Sequence, residues 1–167
     1  MGLAAHQIDS DPGTHQRKHS MPGKTYSIPR RELRRLYQRA HRAQRKNQSE
    51  VAGALMLNDG HVLTLEFMRN RSDRPGHFEL SRESLTELRR EARREGRRVV
   101  GLFHSHPITE PEPGKNDLRD ASVNSLMLIY DVCGRSAKLW RVRRKGGKKV
   151  AVEVPLSIET NTDRDLK

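Results

Sequence analysis

Residues 99–120 read VVGLFHSHPITEPEPGKNDLRD, and the rest of the chain is understood outward from this stretch. It opens on a continuous apolar run at 99–103, the mark of a strand buried on both faces. His104 and His106 follow at i and i+2, where that strand ends. Side chains alternate across a strand, so this spacing points both imidazoles to the same side, within reach of one ion. Pro107 stops the strand, and a loop with Pro111, Pro113 and Gly114 leads to Asp117 at the start of a short helix, DLRDASV. A carboxylate there can swing back as a third ligand, or serve only as the cap of its helix, a role Asp often fills. Neutral imidazole and carboxylate suit zinc, and the chain offers no thiolate cluster. Three protein ligands would leave a fourth position for water, as in catalytic zinc sites; structural sites are closed by a fourth side chain. Ser105, between the two His, faces the opposite way and reads as structural support. Glu50 precedes the run Val51-Ala52-Gly53-Ala54-Leu55 at the mouth of a neighbouring strand, where a general base would belong.

The flanking sequence supplies the framework. From residue 29 to 46, Leu33, Leu36, Tyr37 and Ala40 follow the i, i+3, i+4, i+7 pattern of an amphipathic helix, with Pro29 acceptable in its first turn. Residues 51–57 and 62–68, joined by Asn58-Asp59-Gly60, predict a β-hairpin. A polar loop over 70–77 precedes Ser81, which can cap a second helix with Leu85, Leu88 and Ala92 on one face, stopped by Gly96. Apolar runs at 126–132, 137–142 and 150–154 complete a set of strands. The order predicts an α/β fold with a central sheet and helices packed against it.

With 167 residues the chain accommodates one domain with tails. Residues 1–25 show no apolar periodicity and are expected to form a disordered N-terminal tail. Residues 26–155, roughly 130 in all, suffice for one core. Residues 156–167 are expected to form a C-terminal tail, plainly polar from Glu159 onward. The net charge of +12 invites a nucleic-acid partner, but three Phe, three Tyr and one Trp offer little for stacking bases. An acidic protein partner explains a basic surface equally well. Cys133 is the single cysteine, so no disulfide forms within the chain, and it is expected to be buried or idle. No stretch approaches a membrane span and no signal-peptide core is present, so a cytoplasmic location is expected, with no membrane partner.

Glu50, then His104-Ser105-His106-Pro107, then Asp117 eleven residues after the second His, resembles the JAMM signature of the MPN+ (JAB/Mov34) metalloprotease family. The resemblance covers roughly residues 26–155. It takes in the opening helix, EVAGAL, HFELSRESL, VVGLFHSHP and LMLIYDVCGRSAKLWRV, all in the family's order. It implies a single MPN (JAB)-like domain with a mostly antiparallel or mixed central sheet flanked by helices. It also implies one zinc on His104, His106 and Asp117, with Glu50 activating water and passing the proton to the leaving amine. The implied activity is that of a zinc isopeptidase or peptidase. Eukaryotic members resemble deubiquitinases, and prokaryotic relatives process ubiquitin-like or sulfur-carrier proteins ending in Gly-Gly. One position departs: Gly114 stands where the family has a Ser that serves the oxyanion or the catalytic water. Such a donor is typically worth ~10²–10³ in rate. Either its loss slows the enzyme, or a backbone N–H between Glu112 and Asn116 stands in. The alternative to an active peptidase is a non-catalytic or weakly active MPN scaffold that binds a protein partner.

Overall fold

The structure is a computed structural model and describes residues 25–160. Strand β1 (Tyr26–Pro29) runs directly into helix α1 (Arg30–Asn47), so Pro29 caps the helix from outside its first turn. Leu36 and Ala40 are fully buried from α1, as the periodicity requires. The expected hairpin is β2 (Ala52–Leu57) and β3 (Leu63–Met68), joined through a 3₁₀ turn at Asp59–His61. Helix α2 (Arg82–Arg94) begins where the Ser81 side chain accepts the Ser84 N–H. It ends before Gly96, whose φ of 70° only glycine adopts readily.

Strand β4 (Arg98–His106) carries both histidines inside the strand, and α3 (Lys115–Asp120) follows the proline-rich loop. β5 (Leu126–Asp131), β6 (Ser136–Lys145) and β7 (Lys148–Val154) then complete a six-stranded sheet of order β3-β2-β4-β5-β6-β7. Every pair in it is antiparallel except β4-β5. The sheet is mixed and flanked by helices, as expected. Its main core joins Leu36 and Ala40 of α1 to Leu55, Leu65, Phe103 and Leu128, while a smaller cluster sets Ala92 of α2 against Ala54 and Met56. Gly53 and Gly101 lie so close to the neighbouring Glu66 and Leu126 carbonyls that a Cβ at either would collide with them.

The expected C-terminal tail from residue 156 is corrected by strand β8 (Leu156–Glu159), which pairs in parallel with β1. Backbone pairing with Tyr26–Pro29 orders these residues, and Leu156 packs onto the main core. The expected N-terminal tail, residues 1–25, lies outside the described residues except for its last member. Among the described residues no helix is long and apolar enough to cross a membrane. Cys133 is exposed rather than buried, and its thiol donates to the Pro107 carbonyl at 3.3 Å.

Candidate metal centre and catalytic site

The two-residue period of β4 does what the sequence predicts. The Nε2 atoms of His104 and His106 lie 3.1 Å apart. Asp117, delivered by α3, places Oδ1 3.5 Å from His104 Nε2 and Oδ2 3.7 Å from His106 Nε2. One ligand atom from each residue therefore falls within 4.8 Å of the others, a group that could hold a metal ion. Four ligands at about 2.0–2.1 Å around zinc stand about 3.3 Å apart, so these separations suit a tetrahedral face with little adjustment.

Supporting contacts fix each member. The Gly114 N–H donates to Asp117 Oδ2 at 2.7 Å, so Asp117 lies three residues inside its helix and binds back to the cap position. His106 Nδ1 meets the Glu110 carbonyl at 2.7 Å, the second partner a ligating histidine usually has. His104 Nδ1 is buried with no partner among the described residues, and its ring stacks on Phe78 at 4.7 Å. Ser105 faces the opposite way and is fully buried; its Oγ accepts the Val51 N–H at 2.9 Å while its own N–H donates to the Val51 carbonyl. That clamp ties the start of β2 to β4. Ala52 pairs with His104, so continuing the antiparallel register brings Glu50 opposite His106.

The electrostatics divide the roles. Burial raises the Glu50 carboxyl to about 7, with the Asp117 charge adding to the rise and His106 opposing it. Burial also lowers His104, which keeps that imidazole neutral and able to ligate. His106 is raised: burial lowers it, but hydrogen bonds to Asp117 and to the Glu110 carbonyl outweigh that. Burial alone would raise Asp117, yet its contacts with both histidines hold it far below the ordinary carboxylate range.

A cleft of about 450 Å³ opens onto His104 and Asp117, walled by Phe78, Leu80, Leu85 and Met127. A model of the family described as prokaryotic homologs of the JAB domain matches residues 30–144. The chain belongs to that family. A protein named desampylase, from Pyrococcus furiosus, is 41% identical over 69 residues, which is 41% of this chain and 49% of that protein. The match thus spans about half the length of that relative. A solution structure of a protein from Desulfitobacterium hafniense superposes with a TM-score of 0.64 at 21% identity, over 84% of this chain and 97% of that one. That likeness extends to the fold.

Two positioning residues carry no motif. Asn70 donates from Nδ2 to the Glu50 carbonyl at 2.9 Å and to the His77 carbonyl at 3.0 Å, and its Oδ1 accepts the N–H groups of Ser72 and Glu79. It therefore ties the Glu50 backbone to the loop that presents Phe78. The indole of Trp140 donates to the Pro111 carbonyl at 2.9 Å and steadies the loop ahead of Gly114. The one sequence hint was Asn70 itself, two residues before Ser72, where an Asx turn is favoured.

Proposed function

We propose that the protein is a JAMM-type zinc peptidase or isopeptidase that cleaves at the C-terminal Gly-Gly of a ubiquitin-like or sulfur-carrier protein. The observation that carries this reading is the convergence of His104, His106 and Asp117 on one point, with the buried Glu50 beside them in register. Membership of the JAB-domain family and the match to a protein named desampylase support this reading. His104, His106 and Asp117 would hold zinc, which when bound supplies Lewis acidity and makes water acidic near neutral pH. Glu50, with a carboxyl at about 7, accepts the proton of the attacking water and returns it to the leaving amine. The apolar cleft walls hold the tail extended and keep bulk water from the reacting bond.

Gly114 favours a second reading, a scaffold with little activity. Of the backbone donors that could replace the missing hydroxyl, the Gly114 N–H is taken by Asp117 and the Glu112 N–H by the Glu110 carbonyl, while Pro113 has none. Lys115 and Asn116 are left. Metal analysis and hydrolysis of a Gly-Gly isopeptide test both readings together. Wild-type protein and Glu50→Gln should each bind about one zinc per chain, Glu50→Gln should hydrolyse nothing, and His106→Ala should lose metal and activity alike. Zinc uptake without hydrolysis by wild-type protein would assign the scaffold; no zinc uptake would remove the peptidase reading.

A further inference from the structure

A second concavity lies away from the metal centre. Strands β1, β2, β4, β5, β6 and β7 all contribute to one cavity of about 710 Å³. Arg98 stands on its rim six residues before His104 on the same strand, about 20 Å away at strand rise. Val100, Leu126 and Val154 give it an apolar lining, and Val152, which also lines it, is 51% exposed.

Three arginines line this cavity: Arg98, Arg141 and Arg143. Among the described residues none of them pairs with a carboxylate. The single acid in the lining, Glu153, is approached instead by Lys138 at 3.9 Å. Two of the three guanidiniums are already oriented by neutral partners. Arg141 donates to the Tyr26 hydroxyl at 2.6 Å and lies 5.7 Å above its ring, and Arg143 donates to Asn124 Oδ1 at 3.2 Å. Each keeps most of its five donors free, and being held in place reduces the entropy lost when an anion binds. Positive charges gathered without counter-charge repel one another, and a ligand carrying two or more negative charges relieves that. Phosphate fits the guanidinium fork in bidentate fashion and brings more charge than one carboxylate.

We propose that this cavity binds a small molecule bearing phosphate groups on a planar or apolar body, the phosphates on Arg98, Arg141 and Arg143 and the body against Val100, Leu126 and Val152. Calorimetric titration of the full-length chain with adenosine 5′-diphosphate, inorganic pyrophosphate and adenosine tests it. The diphosphate should saturate with Kd at or below about 1 mM, pyrophosphate should bind more weakly, and adenosine should not bind. Arg141→Ala should weaken the diphosphate about tenfold or more, as expected for a lost charge-assisted contact. Arg143→Ala, at an exposed residue whose side chain hydrogen-bonds exposed Asn124, should weaken it likewise and guards against misfolding of the first variant. Arg90→Ala on exposed α2 removes the same charge elsewhere and should change nothing. Backbone amide shifts on titration should cluster at Val100, Leu126 and Val152. Absence of saturation, equal binding of pyrophosphate and diphosphate, or equal weakening in Arg90→Ala would overturn the proposal. So would a deoxythymidine oligonucleotide that displaces the diphosphate and binds with the same affinity in wild type and Arg141→Ala.

Discussion

Glu50 holds its proton in the folded chain up to about pH 7, whereas a solvated glutamate gives it up near 4.5. A carboxyl raised in this way contributes its full stabilisation below the unfolded value and loses it as pH climbs to the folded one. In metal-free protein, stability relative to Glu50→Gln should therefore fall between about pH 4.5 and 7. The fall should be of order 2–3 kcal/mol, read as diverging urea midpoints in the presence of a chelator. Parallel pH profiles would mean that Glu50 is not desolvated. Gly114 makes the other residue-scale prediction. Its φ of −74° and ψ of 170° are ordinary for a residue capping a helix, so no left-handed strain stands against a side chain. A Cβ would meet only Asp117 Oδ2, at 3.3 Å, which a small shift of the carboxylate accommodates. Given the zinc peptidase reading, Gly114→Ser should raise kcat about tenfold or more with KM nearly unchanged. An unchanged kcat would show that the Lys115 or Asn116 N–H already serves.

At the scale of elements, what could be foreseen depended on how local the cause was. The paired imidazoles of β4 follow from an alternation of two residues, and the capped, periodic helices from patterns a few residues long. β1 and β8 offered no such pattern. Each has four residues, and each is ordered by the other across most of the chain, a non-local pairing that leaves no local signature. Phe78 and Asn70 were hidden for a related reason, since loop side chains act through backbone groups and carry no periodicity. Asn70 nevertheless bridges two segments of the site. Asn70→Asp keeps the acceptor for Ser72 and Glu79 but loses both donors, so the turn should persist while Glu50 loosens. Hydrolysis by Asn70→Asp should fall about tenfold in kcat with zinc content intact, since a lost hydrogen bond is worth about 1 kcal/mol and displacement of a catalytic group adds to it. Wild-type kcat would show that the Ser105–Val51 clamp alone positions Glu50.

For the whole molecule, the zinc-site reading makes metal binding and folding one equilibrium. Two of the three candidate ligands are buried in the sheet and the third arrives from another element, so an unfolded chain has no comparable site. Free zinc at about a hundred times its Kd should add close to 3 kcal/mol, and a chelator should lower Tm by of order 5–10 °C. No Tm change would mean that the site does not hold the ion. The parallel pairing of β4 with β5 has a consequence for the order of assembly. Parallel neighbours cannot be joined by a tight turn, so the chain must cross from one end of the sheet to the other, and residues 107–125, with Asp117 among them, make that crossing. The hairpin β2-β3 needs a shorter closure than this crossing, and Asp117 reaches the histidines once β5 has docked and the crossing has closed. Ion affinity should therefore arrive in a refolding chain with the β4-β5 ladder and not before it.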